Sequence, residues 1–227
     1  MEHADTLNNP TGEDQAVRSA MEKMVDTYDA YMRKVTLGRE HVLRDRTVGL
    51  TLVKPGDGVL EVGCATGTLT LAAKRQVGEP GRVFGIDVIP GMIEASRRKA
   101  AQAGVDATFR LGSIDEIPFP ADQFNAVLCS FMIFHMSEPV RRKGIAEIHR
   151  VLKHGGRLVV LDFAMPDRPL SRMIVKRLFG SMMQHDLRDL LPAMEASGFT
   201  DMEKAPFPFR VMGLQVLGFV RGVAKKG

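Results

Sequence analysis

At 227 residues, with 44% apolar and 26% charged side chains, the chain has an ordinary globular composition and enough length for one sizeable core. A formal net charge of only +4 argues against nucleic-acid binding. No apolar run approaches the roughly 18 residues of a membrane span, and the polar, acidic start is no secretory signal, so a cytoplasmic protein is expected.

Residues 1–20 read as a loose N-terminal tail, because Asn8-Asn9-Pro10-Thr11-Gly12 is turn chemistry with little apolar material around it. From Val17 to Val53 apolar residues recur at helical spacing, with Met21, Met24, Val25 and Tyr28 followed by Val42 and Leu43, and 21–54 is expected to form lid helices. The spacing predicts two helices broken near Gly38, and Tyr28, Tyr31 and His41 are candidates for a lid over a ligand. From 55 to 227 strands alternate with helices. Val59–Val62 is a β-type run ending in Gly63, and a helix is expected over 69–77. A second strand, 82–86, ends at Asp87, and a helix over 91–103 is stopped by Gly104. Strands follow at 107–111 and, as a near-continuous apolar run, at 124–130. A helix over 139–152 closes at Gly155-Gly156 before a strand at 157–163. A further helix at 187–197 leads to two late strands, near 200–204 and 215–223.

This alternation predicts an α/β fold with a doubly wound, mostly parallel seven-stranded sheet. Its ligand crevice lies at the C-terminal strand ends. The last two strands leave almost no room for a helix between them, so an antiparallel pair is expected at one edge.

The turn after the first strand reads Glu61-Val62-Gly63-Cys64-Ala65-Thr66-Gly67. A dinucleotide site would need G-x-G-x-x-G to seat a pyrophosphate on the helix N-terminus, and that spacing is absent. A nicotinamide dehydrogenase is thereby disfavoured. The turn suits S-adenosylmethionine, which carries no phosphate but an amino acid, a sulfonium and a nucleoside. Glu61 offers a carboxylate for the ammonium, and Gly63, Cys64 and Gly67 offer close main-chain approach. Asp87 ends the second strand where an acid can accept both ribose hydroxyls. After the third strand Ile114 can cover the adenine while Ser113 meets its amino edge. After the fourth, the carbonyls of Ser130 and Phe131 can receive the ammonium. His135, just beyond, is the candidate catalytic base, with a packing histidine as the other reading.

Four segments carry a family resemblance: VLEVGCATG (59–67), GIDVIPGMIEASR (85–97), IDEIPFPADQFNAVLCSF (114–131) and IAEIHRVLKHGGRLVVLDF (145–163). They resemble the ubiquinone/menaquinone C-methyltransferase family and its small-molecule relatives, over about residues 25–165. The resemblance implies the class I, Rossmann-like methyltransferase fold, with Glu61, Gly63, Asp87, Val88, Met92, Ser113, Ile114 and Ser130 at cofactor positions. Three departures stand out. Ala65 replaces a middle glycine, Ser113 replaces an aspartate, and Met132-Ile133-Phe134-His135 stands where the quinone enzymes carry an Arg-Asn pair.

The expected function is methyl transfer from S-adenosylmethionine to a small or lipid-like acceptor, such as a quinone, an isoprenoid or an amine headgroup. The other class of reading is a non-catalytic S-adenosylmethionine-binding or scaffold module. The two cysteines, Cys64 and Cys129, give neither a disulfide framework nor a metal site, and no metal is expected. The insertion at 165–185 places Arg168, Arg172 and Lys176 at four-residue intervals beside Met173, Leu178, Phe179 and Met182. Such a helix either caps the sheet or, through 168–182, makes a peripheral membrane contact. Arg172 is its candidate for touching substrate.

Overall fold

The computed structural model describes residues 12–164, 173, 186–211 and 213–227. Three helices open the described chain: α1 (Gly12–Met24), α2 (Tyr28–Val35) and α3 (Glu40–Gly49). The sequence suggested two helices and a loose stretch to residue 20. Instead α1 begins at Gly12, and a turn closed by the Thr27 N–H on the Met24 carbonyl separates it from α2. The break near Gly38 is where it was expected, between α2 and α3. It is a left-handed stop at Leu37 and Gly38, whose N–H reaches back to the Arg33 carbonyl.

From residue 58 the alternation is β1 (Gly58–Val62), α4 (Thr68–Val77), β2 (Arg82–Asp87), α5 (Pro90–Ala103), β3 (Thr108–Leu111) and β4 (Phe124–Ser130). A single 3-10 turn (Ile133–His135) precedes α6 (Glu138–Val151) and β5 (Leu152–Phe163). A second 3-10 turn (Leu187–Leu190) runs into the short α7 (Leu191–Ala196), followed by β6 (Phe199–Pro206) and β7 (Leu217–Ala224). Two boundaries move from their expected places. Extended backbone starts at Leu152, directly after α6, so Gly155-Gly156 lies inside β5 and not at the helix end. The helix predicted over 187–197 divides into the 3-10 turn and α7, with Pro192 in the first turn of the latter.

The seven strands form one sheet in the order β3-β2-β1-β4-β5-β7-β6. β1 through β5 are parallel, while β7 runs antiparallel between β5 and β6. The late pair is thus antiparallel as expected, with the last strand inside the sheet and β6 at its edge. Helices α3, α4 and α5 cover one face, where Val48, Leu69, Ala73 and Val77 meet Val59, Leu128 and Val159. The other face is covered by α6 and α7, with Ile145, Ile148 and Met194 against Leu60, Val127 and Leu158. Because both faces are covered, β4 is buried but for the half-buried Asn125 and reads as a near-continuous apolar run.

The chain winds from β1 outward through β2 to β3, then returns to lay β4 on the opposite side of β1. Register holds the strand ends level, with Val62 opposite both Ile86 and Cys129 and Ser130 opposite Leu161. This switch point opens a crevice beyond the C-terminal ends of β1 and β4. None of the described helices is long and apolar enough to cross a membrane.

Candidate functional site

A cavity of about 190 Å³ occupies that crevice. The tips of all four strands line it: Val62, Gly63 and Ala65 after β1, Asp87, Val88 and Ile89 after β2, Gly112, Ser113 and Ile114 after β3, Ser130 and Phe131 after β4. Met132, His135, Met136 and Val140 extend the wall past β4, and Val17, Arg18, Met21 and Tyr28 of the N-terminal helices complete it.

The β1–α4 turn needs its glycines. Gly63 has φ +69°, and a Cβ there would lie 2.8 Å from the Met132 side chain, itself a cavity wall. Gly67 has φ +79°, and its Cβ would meet the Phe109 ring at 2.8 Å. Both positions combine a left-handed backbone with close packing, which only glycine satisfies. Ala65 also takes a positive φ, 45°, so the small side chain at the usual middle-glycine position sits in the conformation a glycine would have. Phe131 does the same at 56°, an uncommon backbone for so bulky a residue, and it lies on the cavity wall.

Among the described residues that line the cavity, Asp87 is the one carboxylate. Its Oδ2 accepts the Ala65 N–H at 2.9 Å and its Oδ1 the Ile89 N–H at 3.0 Å. Burial pushes its pKa up, and those backbone donors pull the other way. One N–H on each oxygen fixes the carboxylate and leaves further lone pairs for a second set of donors. A vicinal diol offers that pair. Apolar Val62, Val88 and Ile114 flank it with surfaces suited to a nucleobase or sulfonium. The lining therefore fits the adenosyl sulfonium expected from sequence: one carboxylate for ribose, glycine-bounded main chain and apolar flanks.

Other sequence candidates are placed elsewhere. Glu61 is 2% exposed and does not line the cavity. Strand alternation turns it to the face of Val59, away from Val62, where its carboxylate accepts the Thr70 hydroxyl from α4. Burial raises its pKa to about 7, with Arg44 and the Thr70 hydroxyl opposing. Cys64 and Met92 are core residues; Cys64 packs with Leu71 and Phe109, Met92 with Ala65 and Ile89. Gly67 shapes the turn without reaching the wall. Ser113 is at the wall, but its hydroxyl donates to Asp115. Tyr28 joins the cavity, whereas Tyr31 and His41 are exposed and do not. His135 stands at the rim, where surrounding protein lowers its pKa by desolvation. Arg172 and most of the 165–185 insertion lie outside the described residues.

Sequence reasoning read helical spacing from Val17 but did not name Val17, Arg18 or Met21 as cavity wall, and the turn-rich residues before them suggested a tail where α1 already begins. It also did not single out Met132, Met136 and Val140 as wall residues. Asp162, at the end of β5, is a further buried acid. It is 5% exposed, its Oδ1 accepts the Phe163 N–H at 2.8 Å, and its Oδ2 has no hydrogen-bond partner among the described residues. Burial raises its pKa to about 7. Among the described residues no cluster of three or more His, Cys, Asp or Glu could hold a metal.

Residues 59–156 match the family model described as a methyltransferase domain. The chain is 34% identical over 168 residues to a demethylmenaquinone methyltransferase of Symbiobacterium thermophilum, covering 73% of this chain and 65% of that protein. It is 30% identical over 188 residues to a ubiquinone/menaquinone biosynthesis C-methyltransferase of a Marinomonas species, covering 82% and 71%. In fold it is similar to a SAM-dependent methyltransferase from Aquifex aeolicus, with TM-score 0.66 and 21% identity over 91% of this chain and 98% of that one.

Proposed function

The chain belongs to the ubiquinone/menaquinone biosynthesis C-methyltransferase family of S-adenosylmethionine-dependent enzymes, and from that premise we propose that it methylates a quinone-type small-molecule acceptor. The observation that carries the reading is the cavity itself, walled by four adjacent strand tips around the Asp87 carboxylate.

S-adenosylmethionine, when bound, supplies a methyl group activated on a sulfonium and open to in-line displacement. The chain's own part is to bind, align and keep out water. Asp87, held by the Ala65 and Ile89 amides, takes the ribose hydroxyls. Gly63, Ser113, Ile114 and Ser130 seat the rest of the cofactor, with Val88 beside the nucleoside. The acceptor enters against Met132, Met136 and Val140, an apolar wall suited to an aromatic ring and its hydrophobic tail. His135 stands where that wall meets the rim. Desolvation favours its neutral form, so an imidazole nitrogen is free to take the proton that a ring hydroxyl or ring carbon must release. Helices α1 and α2, which already reach the cavity through Met21 and Tyr28, form its lid. The 168–182 segment gives the sequence-based case for a peripheral membrane contact.

The test is direct. Purified protein is incubated with methyl-labelled S-adenosylmethionine and a reduced, short-tailed demethylated naphthoquinone, and the product is read by mass spectrometry. A methylated ring with stoichiometric S-adenosylhomocysteine supports the reading. Saturable S-adenosylhomocysteine binding with no methylation of any quinol supplied would point to the non-catalytic binding module instead.

A further inference from the structure

One buried cation fastens the N-terminal helices to the cavity. Arg44, on α3, is 3% exposed. Its Nη1 donates to Ser130 Oγ at 3.1 Å, while Nε and Nη2 both donate to Glu40 Oε1, at 3.1 and 3.0 Å. Tyr28 of α2 and Glu61 of β1 complete its electrostatic surroundings. Ser130 and Tyr28 are cavity wall; Arg44 and Glu40 are not. The guanidinium therefore sits one layer behind the site. It joins a helix that covers the sheet to the tip of the strand on which the ligand rests.

Packing alone does not call for this arrangement. A buried ion pair seldom stabilises a fold more than apolar side chains of similar volume, but it does specify geometry, because its donors are satisfied in one placement. Here the placement that satisfies Arg44 is α3 docked against the end of β4. The planar fork matters too, since a lysine ammonium cannot span Glu40 and Ser130 with the same fixed geometry.

We propose that Arg44 is a positioning residue for the cofactor: held by Glu40 of its own helix and donating to Ser130, it locks α3, and with it α2, which shares a core cluster with α3 through Met32 and Leu43, onto the β4 tip, so that ligand binding and docking of these helices are one event. The inference rests on the methyltransferase reading and adds a residue that touches neither cofactor nor acceptor.

The test compares the full-length parent, Arg44→Lys, Ser130→Ala and the double variant. S-adenosylhomocysteine binding is measured by calorimetry, and hydrogen exchange is followed with and without that ligand. The expected result is affinity lowered about tenfold in Arg44→Lys and several-fold in Ser130→Ala, with the double variant no weaker than Arg44→Lys, since both remove the same link. Ligand should slow exchange over residues 28–49 and 124–131 together in the parent, but only over 124–131 in Arg44→Lys. A purely structural arginine would lower the melting temperature and leave that coupling intact. Parent-like affinity in Arg44→Lys, or additive losses with 28–49 still protected by ligand, overturns the proposal. Should Arg44→Lys not fold, Ser130→Ala decides by the same exchange pattern. A parent that binds no S-adenosylhomocysteine overturns the underlying methyltransferase reading, an outcome distinct from parent binding matched by the variant.

Discussion

Replacing Asp162 with asparagine should flatten the pH dependence of stability. In the fold this carboxyl is buried, one oxygen has no partner among the described residues, and its pKa rises from 3.8 to about 7. A raised carboxyl pKa means the native state keeps a proton that the unfolded chain has released. Its favourable term is therefore fully present at acid pH. It is lost as pH climbs from the unfolded value toward 7, then levels off. With 1.36 kcal/mol per pKa unit, the full loss is about 4 kcal/mol, of which roughly 2.5 kcal/mol falls between pH 5 and 8. Asparagine cannot ionise, and its Oδ1 still accepts the Phe163 N–H. Urea unfolding of parent and Asp162→Asn across pH 5 to 8 should show the variant gaining about 2.5 kcal/mol on the parent by pH 8. Glu61, raised to about 7 by its own burial, tilts both curves in the same direction, and the difference between the proteins cancels it. Parallel curves would show that Asp162 is ionised in the folded protein, and the account of its burial would fail.

Three further outcomes follow from the cavity. Asp87→Asn keeps an oxygen for a backbone amide but removes the charge proposed to meet the ribose, so S-adenosylhomocysteine affinity by calorimetry should fall about 10- to 100-fold. Gly63→Ala forces a Cβ against Met132 at a left-handed backbone, and a loss of about 1–3 kcal/mol should lower the melting temperature by several degrees while weakening cofactor binding. His135→Gln should leave S-adenosylhomocysteine binding unchanged and slow methyl transfer by about 10²- to 10⁴-fold. With neutral His135 as the proposed base, its lowered pKa puts the rise of the parent's rate with pH at a midpoint below 6.5, a limb absent from the variant.

The sheet was legible because each parallel strand is buried on two faces and must be apolar along its length; Phe124–Ser130 can hardly be anything else. Asp87 stands out as a candidate for a related reason, as an acid at the end of such a run has either solvent or a ligand beyond it, and the structure puts it on the cavity wall. Glu61 shows the limit of the same logic. Its type and place at a strand tip suggested a ligand contact, but which face it takes depends on Thr70 and Arg44, residues from two other elements. Tyr31 and His41 show the same limit: the sequence offers them with Tyr28 as lid candidates, while the packing of α2 and α3 decides which of the three lines the cavity. The break between α6 and β5 was drawn at Gly155-Gly156 because paired glycines usually end helices. Pairing of Leu152 with Phe124 draws the backbone into the sheet earlier.

The position of β7 has a bearing on how the chain is assembled. Residues 217–224 slot between β5 and β6, so β6 has no neighbour in the sheet until synthesis has passed them. The cofactor half, β1 to β4, can form while the ribosome is still working. The far edge, by contrast, waits for a strand that arrives after it. Nascent chains arrested before residue 217 should therefore show protease-resistant β1 to β4 and a cleavable 199–206, and a tag or deletion that disturbs 217–224 would unfasten two strands where it touches one.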